Sequence, residues 1–196
     1  MQFKMCRLLT VRSGREFRIS GHLKPFAHIS KHSLEYQGHG WGLAYLVSNK
    51  WKIYRNIKPL WEDNLEQFGS TKFLVAHARS AFKDEGIKVE NNMPFYDGNN
   101  VFIFNGELQG VKIKEKGRIG AEKIFNFIKR FEKDGMEGAI RKAAEIIKKK
   151  SKHIKALNFI IADKEKIYVY SSFNERENYF RMHYRQDGNT IIVCSD

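Results

Sequence analysis

Cysteine is scarce in this chain. Only Cys6 and Cys194 occur among 196 residues, and no CxxC spacing links them, so neither a disulfide framework nor a thiolate zinc site is expected. Long apolar runs are missing as well. None approaches the roughly 20 residues of a membrane span, and "MQFKMCRLLTVRSGR" is broken by charge too early for the apolar core of a signal peptide. Membrane partners are therefore not expected, and two free thiols point to the cytoplasm. Internal repeats, low-complexity linkers and an interior boundary are also lacking, which predicts one domain over 1–196. Acidic residues are few against basic ones: 22 Asp and Glu face 35 Lys and Arg, a net charge of +13. That balance attracts polyanions. The lysines are scattered, however, and the densest run, "IIKKKSKHIK" at 146–155, closes a helical stretch where cations complement the helix dipole. No RNA-binding signature with paired aromatics accompanies them, so nucleic-acid binding is not expected as the main role.

What the chain does have is a globular composition, 42% hydrophobic and 13% aromatic. Short apolar runs bounded by Gly, Asn and Asp predict strands at 6–13, 41–48, 51–56, 71–80 and 100–108, with "SNK" at 48–50 as a hairpin turn. The stretch 22–35 is ambiguous, with a short helix after Pro25 as one reading, and 60–68 is a second candidate. In 120–135, Ile124, Phe127, Ile128 and Phe131 make one apolar stripe at helical spacing, and Gly135 ends it. In 136–150, Met136, Ile140, Ala143, Ala144 and Ile147 repeat the pattern. Strands resume at 156–163, 167–173, 178–185 and 189–196. Strands, two helices, then strands argue for an α+β fold with antiparallel sheets.

Several residues invite chemistry on their own. Cys6 taken alone reads as a small core hydrophobe. His77 suggests a Cys–His pair, but on an apolar strand it reads as a hydrogen-bonded core histidine. His22, His28 and His32 have no common metal-site spacing, and no metal or cofactor is expected.

Four motifs stand in order: "MCRLL" at 5–9, "GHGWGLAY" at 38–45, "VAHARSAF" at 75–82 with "NNMPF" at 91–95, and "VFIFNGEL" at 101–108. Together they resemble the class II glutamine amidotransferases, of the N-terminal nucleophile (Ntn) hydrolase superfamily, in their stand-alone form. The specific likeness runs from Met5 to about Glu122; beyond it only the element order agrees. The resemblance implies a four-layer αββα sandwich of two antiparallel sheets. It also implies that Cys6 becomes the first residue of the mature chain, because a free α-amino group, with a pKa of about 8, can serve as the thiol's own general base. By the same resemblance, Asn105 and Gly106 supply oxyanion donors, and Arg79 grips a substrate carboxylate with its planar fork. His77, Ser80, Glu107 and Gly120 fall at or beside substrate-binding positions. The implied partners are a small-molecule amide and a separate synthase that receives the ammonia.

The sequence departs from the family where the substrate's amino end is expected. "SDTE" or "SDSE" is replaced by "IGAE" at 119–122, so Gly120 stands where relatives carry aspartate; Phe104 and Met93 stand where histidine is common. Residues 1–5 are either a propeptide, an over-extended start, or a permanent block on Cys6. Two readings stay open: an amidohydrolase acting on glutamine, a γ-glutamyl compound or a related small amide, and a catalytically inactive module of the same fold that binds a ligand or partner.

Overall fold

The computed structural model describes residues 5–81 and 85–195. Residues 1–4 of the expected leader, Phe82 of the third motif and the final Asp196 lie outside them. Ten strands form two antiparallel sheets. The first sheet has the order β3-β2-β4-β1-β10-β9, built from β1 (Arg7–Arg18), β2 (Trp41–Val47), β3 (Lys50–Asn56), β4 (Ser70–Ala78), β9 (Met182–Asp187) and β10 (Thr190–Ser195). The second has the order β5-β6-β7-β8, built from β5 (Phe95–Tyr96), β6 (Val101–Gln109), β7 (His153–Ala162) and β8 (Ile167–Tyr170).

Alternation along the strands explains the layering. In β1 and β4, Leu9, Val11, Leu74 and Ala76 turn outward and pack under helix α1 (Ile19–Lys31) and two short 3-10 turns, Leu60–Glu62 and Leu65–Phe68. Their neighbours Leu8, Phe73 and Val75 turn inward and join the core built on the second sheet. Helices α2 (Gly120–Lys129) and α3 (Met136–Lys149) share that core through Ile124, Phe125, Ile128, Ile140, Ala143 and Ile147. Phe102 of β6 and Phe125 of α2 stack with centroids 4.9 Å apart, an arrangement aromatic pairs favour. The result is the α+β sandwich of helix, sheet, sheet and helices. No helix among the described residues is long and apolar enough to cross a membrane.

Several local outcomes differ from the sequence-based expectations: β1 runs on to Arg18 rather than ending at 13, and β8 ends at Tyr170 rather than at 173. Helix α1 begins at Ile19 and carries Pro25 inside it, where the ring removes one hydrogen bond of the helix. The 60–68 candidate divides into the two 3-10 turns. The first of the two later helices stops at Lys129 and gives way to a 3-10 turn over Glu132–Asp134. The run 178–185 is not one strand: Arg176 adopts a left-handed backbone (φ 51°), a helical turn α4 follows at Glu177–Phe180, and β9 begins at Met182. The hairpin at 48–50 turns on Ser48 and Asn49, both at positive φ (46° and 60°), as a two-residue loop requires.

Candidate active site

A cavity of about 730 Å³ opens where β1, β4 and β6 meet the start of α2. Cys6, Arg79, Ser80, Phe104, Gly106, Glu107 and Gly120 all line it. Cys6 sits immediately before β1, half-buried, and its Sγ donates to the Ser80 carbonyl at 3.7 Å. Burial pushes the thiol pKa up, while the Ser80 hydrogen bond and the positive charges of Arg79 and Arg7 pull it down.

Arg79 leaves the end of β4 and is only 5% exposed. Its guanidinium donates to Asn92 Oδ1 at 3.1 Å and to the Gly86 carbonyl at 2.9 Å. No carboxylate among the described residues pairs with it. Asn92 is itself buried and donates to the Asn56 carbonyl at 2.7 Å. The glycines of "GHGWG" make this possible. Gly40 has φ 103°, and a Cβ there would meet the Asn92 amide; a Cβ on Gly42 would meet the Met93 carbonyl. A buried guanidinium held from behind by neutral acceptors, with cavity in front, is suited to an anion.

On β6, Asn105 is fully buried between the lining residues Phe104 and Gly106 and is itself absent from the lining; neither atom of its amide has a partner among the described residues. Native interiors seldom leave such groups unsatisfied. Gly106 follows it opposite Leu157, and any side chain there would meet the Ala156 carbonyl. His77 lies in β4 beside Leu8 and bridges the two sheets, its Nε2 3.2 Å from the Phe104 carbonyl. Burial, reinforced by the charge of Arg79, lowers its pKa to about 3, so the ring is neutral at ordinary pH. It contacts the back of the cavity wall and is absent from the lining. Ser80 Oγ is buried without a partner among the described residues. Glu107 faces the cavity, but its carboxylate is taken by Lys155 Nζ at 2.8 Å and by Gln109 Nε2 at 2.6 Å.

The far wall is largely aliphatic, made by Leu108, Val111, Ile113, Ile119 and Ile124, with Gln109, Arg118 and Lys123 at its polar edge. Gly120 is the first residue of α2 and lines the cavity; a Cβ on it would meet nothing within 4 Å. Arg118, which also lines the cavity, is paired with Glu122, Nε to Oε2 2.9 Å. Among the described residues no group of three His, Cys, Asp or Glu could hold a metal ion; His28 and His32 contact each other on α1 with ring centroids 4.5 Å apart.

The residue before Cys6 has a site of its own. Met5 is 1% exposed and packs against Ala156, Tyr179, Phe180 and the half-buried Phe173. Its carbonyl accepts from Gln37 Nε2 and, at 2.9 Å, from the Tyr179 hydroxyl. Neither Gln37 nor Tyr179 stands out in the sequence; Gln37 directly precedes "GHGWG", the only local signal for it. Asn92 lies inside the "NNMPF" motif, yet nothing in one sequence ties it to Arg79.

No protein-family model matches the chain, and no curated protein matches it. Solved structures do. A glutamine aminotransferase class-II domain protein from Silicibacter pomeroyi superposes with a TM-score of 0.65 at 16% identity, covering 97% of this chain and 88% of that one. The chain has the fold of a glutamine amidotransferase-like domain. A predicted glutamine amidotransferase from Pseudomonas aeruginosa PA01 gives a TM-score of 0.50 at 15% identity, over 97% of this chain and 79% of that one. At such identities the likeness concerns the amidotransferase-like architecture, and the chemistry has to be argued from the cavity.

Proposed function

We propose that the chain is an amidohydrolase of the glutamine amidotransferase type, with Cys6 as nucleophile once residues 1–5 are removed. One observation carries the reading. A thiol and a buried guanidinium with no carboxylate partner among the described residues line a single cavity, and the buried Asn105 amide, also without a partner among them, lies in the chain between its lining residues Phe104 and Gly106, in the order the family motifs imply. In the mature chain the Cys6 α-amine accepts the thiol proton, directly or through water. The thiolate attacks the carboxamide carbon. Asn105 Nδ2 and the Gly106 N–H hold the oxyanion. The C–N bond then breaks, and the nitrogen leaves as ammonia with the proton returned by the amine. Water hydrolyses the thioester, giving a carboxylate and restoring the thiol. Arg79 holds a carboxylate at the other end of the substrate, with Ser80 and Glu107 shaping the wall between. His77 buttresses that wall. Ammonia passes to water or to a separate synthase, and the need for a reduced thiol suits the cytoplasm.

The largely aliphatic α2 side and the bare Gly120 favour small monoamide carboxylates over free glutamine, since Gly120 brings no carboxylate to the substrate's amino end and Glu107 is taken by Lys155. A second reading is favoured by a specific observation: Met5 is buried with its carbonyl doubly held. If residues 1–5 stay, Cys6 has no free amine and the cavity serves as a binding module. Ammonia release separates the two. A chain starting at Met5, from which the initiator methionine is cleaved to expose Cys6, should hydrolyse glutamine or its des-amino analogue, and Cys6→Ala should not. Equal release by both chains defeats the enzymatic reading.

A further inference from the structure

The contacts around Met5 also describe what surrounds the Cys6 nitrogen. Bond lengths of about 1.23 Å for C=O and 1.33 Å for C–N put a carbonyl oxygen about 2.3 Å from the next amide nitrogen. The groups that grip the Met5 oxygen are therefore neighbours of the Cys6 nitrogen. These are the Gln37 side-chain amide, fully buried, and the Tyr179 hydroxyl, which accepts from Gln37 Nε2 at 3.2 Å. When Met5 leaves, both lose the oxygen they hold. Gln37 also carries an unmet need in the opposite sense: its Oε1 is buried with no partner among the described residues. An ammonium offers donors where that oxygen needs one, reached by rotating the amide end for end.

We propose that Gln37 and Tyr179 form the seat of the Cys6 α-amino group in the mature chain, as positioning residues that orient the amine toward the thiol and set its proton affinity. The inference rests on the amidohydrolase reading. Gln37 Oε1 accepts from the ammonium, and the Tyr179 hydroxyl, whose pKa is pushed up to about 12 chiefly by burial, stays a neutral phenol able to accept from the ammonium and donate to the free amine. Charged groups stand on the elements packed around the seat. Arg7 of β1 lies 4.1 Å and Arg176 before α4 lies 4.8 Å from the Tyr179 ring centroid. Glu35, after α1, pairs with Arg176 at 2.7 Å. Arg79 follows β4, and the Glu107–Lys155 pair spans β6 and β7. Arginine beside the amine disfavours its protonated form, and the Gln37 carbonyl favours it. Their balance keeps the amine near working pH.

The test uses the chain beginning at Cys6, released from a fusion by a tag protease and labelled with nitrogen-15 in cysteine. The α-amino nitrogen is titrated by NMR. Gln37→Glu should raise its midpoint by about one pH unit or more, because a carboxylate favours the ammonium. Gln37→Leu and Tyr179→Phe should lower it by about half a unit or more; Tyr179→Phe keeps the ring that packs against Arg7. Midpoints within about 0.2 unit of the parent in all three variants overturn the seat. Ammonia release is measured on the same samples. A parent that titrates as described but releases none contradicts the amidohydrolase reading and leaves the seat standing.

Discussion

On the β4 side of the cavity three polar groups are held from behind: Arg79 by Asn92 and Gly86, Asn92 by Asn56, and Cys6 against Ser80. On the α2 side Ile119, Gly120 and Ile124 face inward, and the one arginine there is tied back to Glu122. The difference teaches where recognition is concentrated. A ligand meets a buried, preorganised guanidinium at one end and mainly aliphatic contact, with no carboxylate from Gly120, at the other. The chemistry proposed for Cys6 needs the first end complete and tolerates the emptiness of the second.

That contrast can be broken in steps. The largest effect is expected at Asn105. Asn105→Ala in a chain beginning at Met5 should lower kcat about 10²- to 10³-fold while leaving KM nearly unchanged, because the donor acts on the oxyanion. Steady-state kinetics on the des-amino analogue of glutamine checks this, and a change confined to KM would remove Asn105 from the oxyanion site. Next is Arg79→Lys. A point charge cannot reproduce the fork, and the loss of a charge-assisted contact, roughly 1.5–3 kcal/mol, raises KM by one to two decades. Equal KM values for the two proteins would mean that the carboxylate binds elsewhere.

The α2 side should respond to addition. Gly120→Asp places a carboxylate in open space at the first helical residue, where an acidic group also suits the helix dipole. The ratio of kcat/KM for glutamine over its des-amino analogue should rise about tenfold from one charge-assisted hydrogen bond. An unchanged ratio in a folded variant would show that Gly120 does not face the substrate's amino group.

Much of this contrast is legible in the amino-acid order alone. The stripes of α2 and α3 follow helical spacing closely, and β2, β3 and β6 end within a residue or so of their apolar runs, because their faces are buried in the way the patterns assume. Cys6, Arg79 and Gly106 gather at one cavity from motifs that are local in sequence. What stays hidden depends on distant contacts. Helix α1 is obscured by Pro25, whose cost is offset by burying Leu23, Phe26 and Ala27 under the first sheet. The 178–185 run alternates like a strand, yet Tyr179 and Phe180 curl into α4 to enclose Met5, some 174 residues away in the chain. The Gln37 contact to Met5 and the Asn92 contact to Arg79 likewise join segments whose proximity only the fold creates.

The central claim is that Cys6, and not Cys194, is the nucleophile. Both are half-buried thiols, and Cys194 lies opposite Leu9 across the β1–β10 pair while Cys6 faces the cavity. A chain beginning at Met5 is treated with a glutamine-analogue electrophile, digested and mapped by mass spectrometry. The account predicts one adduct, on a peptide that starts at Cys6, blocked by prior addition of a small monoamide carboxylate. An adduct on Cys194, or equal labelling of the Cys6→Ala variant, would contradict it.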